Sequence, residues 1–275
     1  MSFRSRTLPS INSLSMHILE AGPDDGPLAL LLHGFPELAF SWRHQLTALG
    51  DAGFHAVAPD QRGFGRTTGH NVADLPSFRL LNLARDALGL AHALGHGEIA
   101  LLVGHDFGSP VAGMLALARP EIVDRLVLMS APFPGPPARL APGQPRAQGP
   151  DAGLAALSPP RKHYQWHYSR DEADADLGAP PQGLTAFLRA YYHMKSGDWP
   201  ENNPEPLPDW RPESLGRLPR YYVMDASQSM AETVAPQDPG TAPAWLPDDA
   251  LAHYVSEYAR TGFAGGLRWY RAVTS

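Results

Sequence analysis

The 275-residue chain contains no cysteine. This absence excludes disulfide bonds, thiol nucleophiles and thiolate metal ligands. Basic residues are also few, since 22 Lys and Arg stand against 28 Asp and Glu for a net charge of −6, whereas a nucleic-acid partner normally requires a basic surface. No run of about 18 apolar residues is present, and the N-terminus lacks the apolar segment of a signal peptide. We therefore expect a soluble, cytoplasmic protein that binds neither nucleic acid nor membrane.

Hydrophobic residues make up 43% of the chain, which is enough for a large core. Four short apolar runs are continuous rather than alternating, as is typical of strands in a parallel sheet covered on both faces. These runs are residues 28–33, 54–58, 98–103 and 125–129. Residues 77–94 and 108–118 have apolar positions at helical spacing, with Ser77 as a candidate N-cap and Gly95 as a candidate stop. The alternation predicts an α/β fold with a doubly wound, mostly parallel sheet.

Residues 136–262 lack this alternation. Within them, 184–194 and 248–261 have helical patterns, and proline-rich links separate the two. We expect a helical cap here, inserted over the C-terminal edge of the sheet. The predicted organisation is then a core at 1–135, the cap, and the start of a return to the core at 263–275.

The segment GHDFG, residues 104–108, follows one predicted strand and precedes a predicted helix. It has the form of a nucleophile elbow, a strained turn that lifts its central side chain above the sheet. The flanking glycines leave room for the turn, and the N-terminus of the new helix stabilises negative charge at Asp106. The alternative is that Asp106 only caps the helix. Ser109 lies beyond the centre of the turn, so we reject it as the nucleophile.

Two further polar turns follow earlier predicted strands, HGFPE at 33–37 and DQRGFG at 60–65. The carboxyl ends of parallel strands share one edge of the sheet, which is where open α/β sheets bind ligands. The histidines outside these turns show no metal-ligand spacing, and no nucleotide or flavin motif is present. We therefore expect a small-molecule site that uses no metal and no cofactor.

Together with Trp42-Arg43 and the later motif LRWYR at 267–271, these turns resemble the epoxide hydrolase branch of the α/β-hydrolase superfamily. The resemblance covers essentially the whole chain. It implies that Asp106 is a carboxylate nucleophile and that the backbone N–H groups of Phe35 and Phe107 form the oxyanion hole. It also implies a substrate pocket, whose expected lining residues are His33, Pro36, Trp42, Tyr191 and Tyr192. Packing of the cap is an equally open role for the last two.

The same resemblance implies two tyrosines that protonate the departing epoxide oxygen. Tyr270, in LRWYR, matches one of them, with a core role beside Trp269 as the alternative. The other position falls on His167 as we place the motif, or on Tyr168 if the placement shifts by one residue. This choice stays open at the level of sequence.

The expected reaction converts an epoxide to a vicinal diol through an ester on Asp106, which water can later cleave. The resemblance also implies later strands that carry an acid and a water-activating histidine. All twelve histidines lie at or before His253. We therefore expect the final core strands, the acid and the base to be missing from these 275 residues, as in a fragment or truncated product that does not turn over alone.

Two other interpretations remain at this stage. Haloalkane or haloacid dehalogenases share the aspartate nucleophile but commonly place Trp or Arg after it, where this chain has Phe107. A non-catalytic ligand-binding relative is the other possibility, favoured by the missing base and opposed by the intact elbow. The sequence specifies neither the substrate nor the oligomeric state, and it is compatible with a homo-oligomer.

Overall fold

A computed structural model of the chain describes residues 3–136 and 151–274. The chain divides into two compact units. Unit 1 comprises Met1–Ala138 and Ala264–Val273, and unit 2 comprises Arg139–Phe263 and Thr274–Ser275. The helices in the described parts of the chain are all too short or too polar to cross a membrane.

Unit 1 is built on a six-stranded sheet with the order β1-β2-β4-β3-β5-β6. The strands are β1 (Arg4–Ile11), β2 (Leu14–Ala21), β3 (Leu28–Leu32), β4 (His55–Pro59), β5 (Leu101–His105) and β6 (Leu126–Met129). Strands β3 to β6 are parallel, and β2 runs antiparallel to both β1 and β4. Every residue of β3 and β4 is buried, as expected for continuous apolar strands covered on both faces. The predicted α/β architecture is therefore confirmed.

The strand pattern failed at the N-terminus, where the hairpin of β1 and β2 was not predicted. The residues of β1 are mostly exposed and polar because β1 is an edge strand, so its sequence carries no apolar run. At the opposite edge, the four residues of β6 are apolar yet 37–42% exposed.

Three α-helices connect the parallel strands of unit 1. They are α1 (Arg43–Asp51), α2 (Leu80–Ala93) and α3 (Gly108–Ala118). The expected N-cap at Ser77 is wrong. Ser77 lies in a 3-10 turn, Leu75–Phe78, and its hydroxyl donates to the Asp74 carbonyl at 2.7 Å instead of capping a helix. Helix α2 then begins at Leu80, after an extended Arg79.

Unit 2 consists mainly of helices. They are α4 (Asp151–Ala155), α5 (Tyr164–Tyr168), α6 (Ala173–Gly178), α7 (Leu184–Met194), α8 (Pro212–Leu215), α9 (Met230–Val234) and α10 (Asp248–Thr261). The two helices predicted at 184–194 and 248–261 are present with those bounds. A two-stranded antiparallel ribbon of β7 (Arg161–His163) and β8 (Val223–Asp225) was not predicted, because each strand has only three residues.

The last described element is helix α11 (Ala264–Thr274), which contains the LRWYR motif. All of it except Thr274 belongs to unit 1. Its buried residues include Leu267, Trp269 and Tyr270, so one face of the motif is packed into the unit that also holds the elbow.

Candidate active site

Asp106 occupies a tight turn of unit 1, between the end of β5 and the start of α3. Its φ of 51° lies in the left-handed region, which costs a non-glycine residue about 1–2 kcal/mol. Hydrogen bonds hold the turn: the Asp106 N–H donates to the Met129 carbonyl, and the Ser109 N–H donates to the Asp106 carbonyl, both at 3.0 Å. A strained turn at the end of a strand is the geometry of a nucleophile elbow.

The two glycines of the elbow are required by close backbone approaches. A Cβ at Gly104 would lie 2.3 Å from the carbonyl oxygen of Gly108, and a Cβ at Gly108 would lie 2.1 Å from the carbonyl oxygen of Leu32. No real side chain tolerates such distances, so β5, the turn and β3 can pack this tightly only with glycine at both positions.

The Asp106 carboxylate is held by the loop that follows β3. Its Oδ1 accepts a hydrogen bond from the Phe35 N–H at 3.0 Å. The N-cap residue of α3 is Phe107, and no side chain caps this helix, so Asp106 is not an N-cap. One carboxylate oxygen is thus fixed by a backbone donor, while the side chain stays partly exposed. The N–H of Phe107 stands at the entry of α3, where the first amides of a helix have no partner within the helix.

His33 links the loop after β3 to the turn after β4. It is fully buried, and its Nδ1 lies 2.8 Å from the Gly34 carbonyl, so Nδ1 carries the proton. Its Nε2 accepts from the Gln61 N–H at 3.1 Å, and the Gln61 amide donates back to the His33 carbonyl. Burial is the largest influence and lowers the pKa of His33, which keeps the imidazole neutral. These contacts favour a role in positioning the loop.

A second network surrounds the elbow, and sequence reasoning missed it. His105 Nδ1 lies 2.9 Å from Glu37 Oε2, and His105 Nε2 lies 3.0 Å from the Ser130 hydroxyl. Burial raises the pKa of the Glu37 carboxyl, but the hydrogen bond with His105 and the attraction to it outweigh burial, so the net pKa lies below its usual range. The only signal in the sequence was the presence of both residues in turns at one sheet edge.

Tyr270 lies beside the two phenylalanines whose N–H groups were predicted as the oxyanion hole. Its ring centroid is 4.6 Å from that of Phe107 and 5.3 Å from that of Phe35, both edge-to-face. The neighbouring Trp269 is anchored by an Nε1–H bond of 2.9 Å to the Arg62 carbonyl. The structure therefore brings Tyr270 of the last helix to the loops around Asp106.

Pro36 and Trp42, also predicted as pocket residues, are both buried. Pro36 follows a cis peptide bond from Phe35. The indole of Trp42 contacts the His105 ring with a centroid distance of 6.5 Å. Its buried Nε1–H has no hydrogen-bond partner among the described residues.

Unit 2 holds the other predicted proton donors in a cluster of tyrosines. Tyr168 is 1% exposed, and its hydroxyl donates to the Tyr191 hydroxyl at 3.3 Å. Burial and these neighbours raise the pKa of Tyr168 well above its ordinary value, so the phenol stays protonated. His167, the alternative, has its Nε2 2.9 Å from the Asp176 carboxylate.

The tyrosine cluster is wider than the sequence suggested. Tyr164 packs edge-on against Tyr168 with ring centroids 5.6 Å apart, and its hydroxyl accepts from the Gln165 amide at 3.3 Å. Sequence reasoning passed over Tyr164, although it stands in the same short segment. Tyr192 points to another neighbour, Tyr254, with a centroid distance of 5.3 Å.

No group of three His, Asp or Glu side chains within residues 3–136 and 151–274 is arranged to hold a metal ion. The groups described around the elbow are a carboxylate with a backbone N–H on one oxygen and the ring of Tyr270 beside Phe35 and Phe107.

This arrangement defines a class, and comparison with known proteins specifies it. The family profile described as the alpha/beta hydrolase fold matches residues 27–152. Epoxide hydrolase A of Mycobacterium tuberculosis is 32% identical over 98% of this chain and 74% of its own length. An epoxide hydrolase of Caballeronia sordidicola is 32% identical over 95% of this chain and 68% of its own length.

Solved structures agree with the sequence comparisons. The crystal structure of epoxide hydrolase A from Mycobacterium thermoresistibile superposes with a TM-score of 0.74 at 30% identity, covering 98% of this chain and 74% of that one. An epoxide hydrolase from an endophytic Streptomyces gives a TM-score of 0.75 at 31% identity, covering 99% and 72%. The chain therefore belongs to the epoxide hydrolase branch of the α/β-hydrolase-fold proteins.

Proposed function

We propose that this protein is an epoxide hydrolase whose nucleophile is the carboxylate of Asp106. The observation that carries the proposal is the elbow itself, with Asp106 at positive φ and its Oδ1 held by the Phe35 N–H at 3.0 Å. Membership of a family whose relatives bear the name epoxide hydrolase supports the substrate class.

The first step is an in-line displacement. The Oδ2 of Asp106 attacks one epoxide carbon, the C–O bond of the ring breaks, and the released alkoxide takes a proton from a tyrosine. An ester forms, which water can cleave, whereas a serine alkoxide would have formed an ether that water cannot. In the later hydrolysis the carbonyl oxygen of the ester becomes an oxyanion, and a donor such as the Phe35 N–H stabilises it there, with the Phe107 N–H as the second donor.

The proposed proton donors are Tyr270 and a tyrosine of unit 2. The contacts of Tyr270 with Phe35 and Phe107 support the first assignment. For the second we favour Tyr168 over His167, because His167 is already paired with Asp176. Tyr164 joins Tyr168 as a candidate because the two rings pack together. In this proposal unit 2, which holds the helices predicted within residues 136–262, acts as the cap.

The contacts of the predicted pocket residues support a place in the pocket to different degrees. Burial of Pro36 and Trp42 near the elbow loops supports a place in the pocket wall, whereas the contacts of His33 favour loop positioning. For Tyr191 and Tyr192, lining the pocket stays a prediction, with packing of the cap as the alternative. A small-molecule substrate follows from the proposal, and a cytoplasmic location and a homo-oligomeric state also stay predictions.

The other two interpretations have less support. Phe107 offers no side-chain donor for a leaving halide, and the relatives described above bear the name epoxide hydrolase, not dehalogenase. The positioned carboxylate on the strained elbow, together with relatives that bear the name of an enzyme, supports catalysis over ligand binding alone.

The test uses styrene oxide as the probe and 1-chlorobutane as the competing substrate. We expect an intact-mass adduct of one epoxide on the Asp106 peptide, no more than one equivalent of diol, and no chloride release. Hydrolysis in heavy-oxygen water should also place the label in the Asp106 carboxylate. The S109A variant is the matched control, because it should keep the adduct if Asp106 is the nucleophile. An adduct that maps elsewhere, or neither adduct nor diol, would refute the proposal.

A further inference from the structure

A hydroxyl, an imidazole and a carboxylate form a row near the β1 edge of the sheet, which is the edge opposite β6. Ser5 belongs to β1, His17 to β2, and Asp60 directly follows β4, so the three come from neighbouring strands. The Ser5 Oγ lies 2.9 Å from His17 Nε2, and His17 Nδ1 lies 2.7 Å from Asp60 Oδ2. Nothing in the proposed epoxide reaction uses Ser5 or His17.

The carboxylate end of this row is rigidly held. Asp60 is buried, its Oδ1 accepts from the Ala39 N–H, and its Oδ2 accepts from the Arg66 N–H, both at 2.9 Å. Burial raises the pKa of Asp60, but the hydrogen bond with His17 and the charges and donors around it lower the pKa below its ordinary value on balance. Asp60 is therefore ionised at neutral pH and accepts hydrogen bonds only.

The tautomer of His17 follows from this partner. Because an ionised carboxylate cannot donate, Nδ1 of His17 must carry a proton, and an imidazole that carries this proton alone offers the Nε2 lone pair to the Ser5 hydroxyl. The backbone of His17 is fixed as well, since its N–H donates to the Thr67 hydroxyl at 3.0 Å. The imidazole is thus oriented by its carboxylate as a general base, the arrangement that activates a serine for nucleophilic attack.

We propose that Ser5 is a second, independent nucleophile of this protein, which His17 and Asp60 activate toward acyl donors with good leaving groups. Ser5 lies exposed on the edge strand β1, so a donor reaches it from solvent. Exposure also limits the substrate class, because charge that develops in contact with water gains little from a preorganised site. Activated esters fit this limit, and ordinary amides do not.

The step balances without a co-reactant. The Ser5 Oγ forms a bond to the acyl carbon while its proton moves to His17 Nε2. The tetrahedral intermediate then breaks the bond to the leaving oxygen, which departs with its electron pair, and the imidazolium returns its proton to water. When the donor is a phenyl ester, the products are acylated Ser5 and a free phenolate.

The first experiment treats the full chain with p-nitrophenyl acetate and locates acetyl groups by peptide mass spectrometry. Ser10 is the matched control, since it is an exposed serine on the same strand. We expect Ser5 to be acetylated at least about tenfold faster than Ser10, and H17Q to remove most of this difference in a chain whose circular dichroism is unchanged. Equal labelling of the two serines would overturn the proposal.

The second experiment does not disturb His17, so it remains valid if H17Q fails to fold. Because the chain has no cysteine, S5C and S10C each carry a single thiol. An imidazole partner promotes the thiolate, so we expect S5C to react with iodoacetamide near pH 6.5 at least about tenfold faster than S10C. Equal rates of alkylation would show that His17 does not activate position 5.

Discussion

Two aspartates follow parallel strands at the same edge of the sheet, and the structure uses them in opposite ways. Asp60, after β4, is buried and accepts hydrogen bonds from His17, Ala39 and Arg66. Asp106, after β5, is partly exposed, and its carboxylate accepts the Phe35 N–H on one oxygen. The difference teaches that a position at the ligand-binding edge does not by itself make a nucleophile. A nucleophile also needs an oxygen that the protein leaves to the substrate.

The backbone separates the two aspartates as clearly as the hydrogen bonds do. Asp106 has a φ of 51°, and the close backbone approaches at Gly104 and Gly108, which flank it, allow this turn. Asp60 instead donates its N–H to the His17 carbonyl at 2.9 Å, which continues the pairing of β2 with β4. Asp106 therefore lies on a strained turn, whereas the backbone of Asp60 is hydrogen-bonded to the neighbouring strand.

The largest effect is expected from D106N. Because an amide oxygen is a poor nucleophile, formation of the styrene oxide adduct should fall by at least about 10³-fold. The free energy of unfolding should change by less than about 1 kcal/mol, since Asp106 is partly exposed and keeps an acceptor for the Phe35 N–H. Intact-mass kinetics and urea unfolding measure both quantities. A large loss of stability would mean that Asp106 has a structural role like that of Asp60.

The reciprocal change, D60A, should act mainly on stability. It leaves the N–H groups of Ala39 and Arg66 and the His17 imidazole without their buried acceptor, which should cost about 3–5 kcal/mol of unfolding free energy. Urea unfolding at pH 7 gives the measurement, with D106N as the matched control. A loss below about 1 kcal/mol would show that Asp60 is as weakly coupled to the fold as Asp106.

G34A should sharpen the comparison by moving Asp106 without changing it. A Cβ at Gly34 would lie 2.3 Å from the Cβ of Asp106, so the loop and the carboxylate must separate. A displacement near 1 Å at a reacting group costs about 10²-fold in rate, which we expect in adduct formation. The control is G97A, where a Cβ meets nothing within 4 Å. Equal rates in the two variants would show that the elbow does not depend on this contact.

Y270F should reduce adduct formation by about tenfold to a hundredfold, because the departing oxygen loses one of its proton donors. Stability should change little, since the ring contacts with Phe35 and Phe107 remain. The same replacement at Tyr164 and at Tyr168 then identifies the second donor as the variant with the larger loss. Unchanged kinetics in Y270F would assign Tyr270 to the core beside Trp269.

The smallest effect concerns the pH dependence of stability. The pKa of Asp60 lies below its ordinary value in the folded state, so its contribution is fully present above the unfolded pKa, near 4, and is lost as the pH falls through the folded pKa. The difference in unfolding free energy between the parent chain and D60N should therefore shrink as the pH is lowered from 6 to about 2. Urea unfolding across this range tests it, and a difference that grows on acidification would contradict the assignment.

Much of this molecule was predictable because its signals are local. Continuous apolar runs indicated the buried strands β3 and β4, and helical periodicity indicated α7 and α10 with their observed bounds. Strand β1 was missed because an edge strand carries no apolar pattern. The prediction of Ser77 as an N-cap was wrong because its hydroxyl donates a hydrogen bond to the Asp74 carbonyl. Sequence patterns do not indicate this competing acceptor.

By itself, the sequence determined the α/β class, the helical pattern at 184–194 and 248–261, and the short list of turns among which we expect the nucleophile. It could not decide which turn residues meet, because hydrogen-bond partners such as Phe35 and Asp106 stand 71 positions apart. The same holds for His17 and Asp60, which stand 43 positions apart. Only the tertiary structure brings these groups within 3 Å, and at that range hydrogen bonding decides which groups are held by the fold and which are left to react.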